Sequence, residues 1–248
     1  MNNLLIPNYG NFLCTPIKVL VTDAYGITKP FSNDYEDNCR LYGCSLIDIL
    51  LRESEIKLNE NNSEPIFSRI FTGNPHADAT RLIGSIAEIL VTKFCKEHQE
   101  VNRRLGMYAR GASRLSREMD NFIAIATGAQ QTRQSYPVWY NPSDTQRDII
   151  WVKKDDLDSQ LLCVKSRGNA GKPAGLQVKT SHNYQYVLNS IEKYHYPVLY
   201  FDLNNDFYNL IEYLISNKLI EVSEVGKNII QGKSLDPTAH QELLYYYD

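Results

Sequence analysis

The stretch GLQVKTS (175–181) alternates apolar Leu176 and Val178 with polar Gln177 and Lys179. That period of two belongs to a β-strand, and it sets Gln177 and Lys179 on one face with Val178 on the other. The run before it, GNAGKPAG (168–175), is rich in glycine and reads as a turn or flexible loop. Further upstream, RDIIWVKK (147–154) is a short apolar strand entered by Asp148, and QLLCVKSR (160–167) is a second strand candidate. Downstream, NYQYVLNSIEKY (183–194) has helical spacing and YPVLYFDL (196–203) is strand-like again. In DATRLIGSIAEILVTKFCKE (78–97), Leu82, Ile83, Ile86, Ile89, Leu90 and Phe94 recur at the three-and-four spacing of a buried helix face. Asp78 is placed to cap that helix, and Glu88 interrupts its apolar run. NFIAIATG (121–128) reads as a helix or a buried strand, and YPVWYNPSDTQ (136–146), with two prolines, as an extended arm and turn. Helix, three strands, helix, strand is the order of an α/β core with mixed strand directions.

Bulk properties narrow the class. The 248 residues are 43% hydrophobic and 22% charged, enough apolar side chain for a packed core. The formal net charge is −3, so the molecule as a whole has no basic footprint, and nucleic-acid binding would need its cations gathered on one face. Cys14, Cys39, Cys44, Cys95 and Cys163 make an odd set. The spacing of Cys39 and Cys44 suits zinc poorly, so these read as buried or incidental thiols. Without a leader-like start or a run near the roughly 18 apolar residues of a membrane helix, a cytoplasmic protein with no membrane partner is expected. The chain divides into a mixed α/β extension at 1–75, a core at 76–203 and a C-terminal extension packed on it at 204–248. In the first, PIKVLVTDAYG (16–26) reads as strand, LYGCSLIDILLRE (41–53) as helix and LNENNSE (58–64) as loop. The last is hairpin-like or helical. No repeat, phosphate-binding glycine loop or nucleophile elbow is present.

Asp148, Gln177 and Lys179 are the residue types that metal-assisted phosphodiester cleavage needs. Oxygen ligands hold Mg²⁺, the ion acts on phosphate and water, and a lysine positions the water or stabilises developing charge. A glutamate-bearing helix, a strand entered by aspartate and a strand with Q-x-K together resemble the PD-(D/E)xK nuclease superfamily. The likeness is nearest to branches in which glutamine replaces the second acid, such as Mrr-type restriction endonucleases. It spans 78–203 and implies a restriction-endonuclease-like core, a central mixed β-sheet flanked by helices. By the same resemblance, Asp148 is the main carboxylate ligand of Mg²⁺ or Mn²⁺, Gln177 takes the place of the second acid, and Val178 offers its backbone carbonyl. Lys179 is the catalytic lysine, and Glu88 completes the site through water or a second ion. The implied activity is DNA hydrolysis, as an endonuclease of restriction or antiphage defence. The implied partners are DNA and either a second copy of the chain or an NTPase or sensor subunit. A neutral glutamine would hold metal less tightly than an acid. The long interval from Asp148 to Gln177 must contain an extra strand or hairpin, which keeps Asp144, Asp156 and Asp158 open as the metal carboxylate.

Each feature also has a plainer reading. Q-x-K alone fits an edge strand facing solvent, and Glu88 fits a helix acid pairing with Lys93 or Arg81. Arg103, Arg104, Arg110, Arg114 and Arg117, opposed within 101–118 only by Glu118 and interleaved with Tyr108, form either a solvated face or a phosphate-tracking groove. Lys165, Arg167 and Lys172 either reach a DNA groove or merely decorate a turn. His182 either activates water or caps the next helix, and His240 is a surface or cap residue. Two rival functions follow: a nuclease fold kept as a nucleic-acid-binding scaffold, or a small-molecule α/β enzyme whose strand polar residues are coincidental.

Overall fold

The computed structural model describes residues 20–22, 28–30, 46–58, 65–68, 72–165, 171–193, 196–235 and 237–247. The chain separates into two compact units, Met1–Phe71 and Thr72–Asp248. In the first, strand β1 (Leu20–Thr22) pairs antiparallel with β2 (Thr28–Pro30), helix α1 spans Leu46–Arg52, and β3 (Ile56–Leu58) forms a hairpin with β4 (Pro65–Phe67). The described parts of the strand expected at 16–26 and the helix expected at 41–53 are strand and helix. Cys14, Cys39, Cys44 and most of the loop expected at 58–64 lie outside the described residues.

The second unit opens with helix α2 (Pro75–Glu97). Its cap is Asn74 rather than Asp78. The Asn74 side chain accepts from the Ala77 N–H at 3.3 Å, and Pro75 takes the first position, where a missing N–H costs nothing. Asp78 turns back instead, accepting from the Thr72 N–H at 2.9 Å and pairing with Arg81 at 3.1 Å. The apolar face of α2 (Ile83, Ile86, Ala87, Leu90, Val91, Cys95) is buried, as the spacing predicts, and it packs across two strands described below. Burial pushes the Cys95 thiol up to about 12, so it is an inert core residue.

Helix α3 (Gln99–Ala109) leads to β5 (Phe122–Ala126), which settles the ambiguous 121–128 as buried strand. After helix α4 (Gln130–Ser135), a 3-10 turn at Pro137–Trp139 interrupts the segment expected to be extended. β6 (Ile149–Lys153) then pairs antiparallel with β5, Ala124 opposite Trp151. β7 (Asp156–Leu161) returns along β6 after the turn at Lys154 and Asp155. The strand expected at 160–167 therefore lies earlier in the chain. The short turn places the return strand at once, and among the described residues β7 pairs with β6 alone, so one side can carry its polar sequence.

β8 (Gln177–Ser181), helix α5 (Gln185–Lys193) and β9 (Val198–Asp202) form a parallel unit, Lys179 opposite Tyr200. Beyond helix α6 (Phe207–Ser216), β10 (Ile229–Gln231) adds to the other side of β9, and helix α7 (Pro237–Tyr247) packs on α2. The segment after 204 thus contributes a strand and a helix to the core rather than a separate appendage. A single antiparallel bridge, Ile149 to Leu176, joins β5–β6–β7 to β8–β9–β10. The result is a mixed α/β sheet flanked by helices, and α2 lies over β5 and β8.

Buried polar groups tie these layers together. Trp151 is fully buried and donates its indole N–H to the Asn102 carbonyl oxygen at 2.8 Å. The Asn102 amide in turn donates to the Met119 and Phe122 carbonyls at 3.1 and 3.2 Å, locking α3 against β5 and β6. Gly106 is needed on α3 because an added methyl would overlap the Met119 side chain. No helix among the described residues is long and apolar enough to cross a membrane.

Candidate functional site

Asp148 stands one residue before β6, whose first residue, Ile149, makes the bridge to Leu176. Past Leu176, β8 runs on where that ladder has stopped, so its edge facing Asp148 is taken by a side chain instead of a strand. The Val178 N–H points to this edge and donates to Asp148 Oδ2 at 2.8 Å. In an extended strand the N–H and C=O of one residue project to the same side, so the Val178 carbonyl faces the same opening. Lys179 Nζ reaches the same Oδ2 at 3.1 Å. Asp148 Oδ1 has no hydrogen bond among the described residues.

Burial pushes the Asp148 carboxyl above its usual range. The Lys179 ammonium and the Val178 N–H pull the other way without offsetting it, and nearby Asp144 adds to the upward push. The Lys179 side chain keeps 28% of its surface exposed against 14% for Asp148, so the cation, not the carboxylate, is the partner free to move.

Gln177 is fully buried. Its amide nitrogen donates to the Thr145 carbonyl at 3.0 Å, while Oε1 has no partner. A buried acceptor left so costs roughly 1–3 kcal/mol, which a bound ligand could recover. The turn that carries Thr145 is braced by Asp144. One of its oxygens accepts from the N–H groups of Gln146 and Arg147 at 2.9 and 3.1 Å, and the other from the Arg147 guanidinium at 3.1 and 2.9 Å. The Arg147 stem lies where a methyl at Gly175 would sit, so glycine is required there. Asp144 is therefore committed to its own loop. Asp156 is exposed on β7, and the side chain of Asp158 lies outside the described residues. Of the aspartates left open by the sequence, Asp148 is the one brought to Gln177, Val178 and Lys179.

The donor set fits a hard divalent cation, because a carboxylate oxygen, a main-chain carbonyl and an unsatisfied amide oxygen are all oxygens. No cluster of three or more His, Cys, Asp or Glu forms among the described residues. A cation here would rest on Asp148, Gln177, Val178 and water. Glu88 is half-buried on α2 and is not among the groups acting on Asp148.

The arginines do not form one cationic face. Arg103 clamps Asp120 through two nitrogens, one at 2.7 Å, and this holds the Asp120 carboxyl below its usual range. Arg110 is buried and pairs with Glu118 at 2.9 Å; Lys165 joins the same carboxylate at 3.3 Å. The groove expected with only Glu118 opposing it is thus partly neutralised, because Asp120 comes from just past the window that suggested it. Arg104, Arg114, Arg117 and Lys172 are exposed, and Arg167 lies outside the described residues. His240 is buried, not at the surface: it stacks on Phe201 with ring centroids 6.4 Å apart, and burial pushes its pKa down. The cap of α5 is Asn183 rather than His182, its side chain accepting from the Gln185 N–H at 2.9 Å. His182 instead lines a cavity of about 580 Å³ just past β8. Sequence reasoning missed this cavity because its walls come from separated segments.

No family model, curated protein or solved structure matches the chain.

Proposed function

We propose that the unit Thr72–Asp248 is a metal-dependent nuclease of the PD-(D/E)xK kind, acting on DNA phosphodiester bonds with Mg²⁺ or Mn²⁺ as an endonuclease of restriction or antiphage defence. The observation that carries this reading is the convergence of Asp148, Val178 and Lys179 at the open edge of β8, beside a buried glutamine oxygen without a partner. The succession α2, β5, β6, β8, α5, β9, antiparallel up to β8 and parallel from β8 to β9, supports it.

A bound divalent ion would polarise the scissile phosphate and lower the pKa of the attacking water. The chain's own groups prepare for this. The Val178 N–H fixes one Asp148 oxygen and leaves the other directed elsewhere. Lys179 neutralises the carboxylate in the empty site and, being part-exposed, can transfer its hydrogen bond to a phosphate oxygen as charge develops there. Since a cation binds the carboxylate and not the acid, the raised Asp148 pKa makes activity rise with pH through that group's titration. The protein would work in the cytoplasm on DNA, as a dimer or with an NTPase or sensor subunit.

A second reading, a nuclease fold retained as a nucleic-acid-binding scaffold, is favoured by the neutral Gln177, which leaves Asp148 as the single acid at the centre. Incubating supercoiled and linear DNA with purified protein in Mg²⁺, Mn²⁺ or EDTA separates the two. Nicking that needs metal and disappears in Lys179→Ala, with the fold intact, supports the enzyme. No cleavage with any metal would falsify it and leave the scaffold.

A further inference from the structure

The cavity past the C-terminal end of β8 has a volume of about 580 Å³, within the range of small-ligand sites. Its walls come from the start of α2 (Asn74, His76, Arg81) and from the β8–α5 junction (His182, Asn183, Tyr186). Two amides, two imidazoles and a guanidinium offer both donors and acceptors, the mixed set that a base edge and sugar present. At the rim, Tyr186 is 73% exposed, an unusual place for a large ring unless something stacks on it.

Position ties this cavity to the candidate centre. Ser181 lines the cavity and shares a face of β8 with Lys179, so the two are about 7 Å apart along the strand, the reach of a neighbouring nucleotide. Charge narrows the ligand further. The net charge is −3, Arg103 and Arg110 are held by Asp120 and Glu118, and within the cavity wall Arg81 is paired with Asp78. Little free cationic surface remains to track the phosphates of a duplex. Affinity must then come from stacking and hydrogen bonds to an unpaired base.

We propose that this cavity holds one unpaired nucleotide of a nucleic-acid strand, stacked on Tyr186, next to the phosphate at Asp148 and Lys179. The placement of that phosphate rests on the nuclease reading; the binding itself does not. The substrate class is single-stranded or locally opened nucleic acid rather than intact duplex.

The test is fluorescence anisotropy of labelled oligo(dT) in EDTA, with unlabelled blunt duplex as competitor. Wild type binds oligo(dT) in preference to duplex, Tyr186→Ala weakens binding about tenfold, and Tyr186→Phe, which keeps the ring, binds as wild type does. Unchanged affinity in Tyr186→Ala, preference for duplex, or no binding of oligo(dT) overturns the proposal. Because no metal is present, an inactive centre leaves the measurement intact. A protein that cleaves DNA yet binds oligo(dT) equally well without the Tyr186 ring fails here alone.

Discussion

Two buried aspartates near the ends of neighbouring strands behave in opposite ways. Asp206 gives both oxygens to neutral donors of the fold: Oδ1 accepts from the Tyr200 hydroxyl at 2.7 Å and Oδ2 from the Tyr184 N–H at 2.7 Å. Those bonds pin the start of α5 to the start of α6 through the fully buried Tyr200 ring, whose hydroxyl pKa is pushed well up by burial and by the carboxylate. Asp148 gives one oxygen to a strand N–H and to a mobile ammonium, and leaves the other without a donor. Burial is similar, but the partners differ. A carboxylate satisfied by fixed neutral groups holds structure together, whereas one satisfied by a cation that can leave is poised to exchange partners.

The sharpest way to break this contrast is Lys179→Ala, expected to cut metal-dependent cleavage by at least about a hundredfold while shifting the melting temperature little. Next in size, Asp206→Ala should lose about 3 kcal/mol in urea unfolding, since it strands two buried donors at once. A loss under about 1 kcal/mol would erase the distinction. Asp148→Asn sharpens the contrast from the other side. A folded-state pKa raised above the unfolded value, near 3.9, means the native state binds that proton more tightly. Stability is then lost as pH climbs from the unfolded toward the folded pKa and stays lower at neutral pH. Asp148→Asn removes that penalty. It should match or exceed wild type near pH 7 in EDTA, with the difference closing below about pH 4, and a large destabilisation would make Asp148 structural. The smallest effect is expected for Arg104→Ala, exposed on α3. If it contacts phosphate, the salt slope of DNA binding falls by roughly one; a contribution from Arg103 should be absent, because Asp120 holds it.

Much of the site was legible because it is local. Gln177, Val178 and Lys179 lie on one strand, and their alternation follows from its period. The commitment of Asp144 to Arg147, three residues on, was also within reach of a local reading. The strand at Phe122–Ala126 was ambiguous because a short apolar run buried on both faces has no period to display. Asp120, His240 and the cavity were illegible for a different reason: each acquires its meaning from a segment distant in sequence, namely Arg103, Phe201 and the start of α2.

What the sequence by itself determined, then, was the class of core and the identity of the candidate chemistry. Apolar periodicity and turn residues act over a few positions, and side-chain alternation is a property of one strand. What only the tertiary structure decided was which aspartate faces Lys179, which arginines are already neutralised, and that β8 ends beside a cavity. These depend on where the Ile149–Leu176 ladder stops and on how α2 and α5 meet past it. Hydrogen-bond register and packing between distant segments are set by the whole core at once, so no local pattern encodes them.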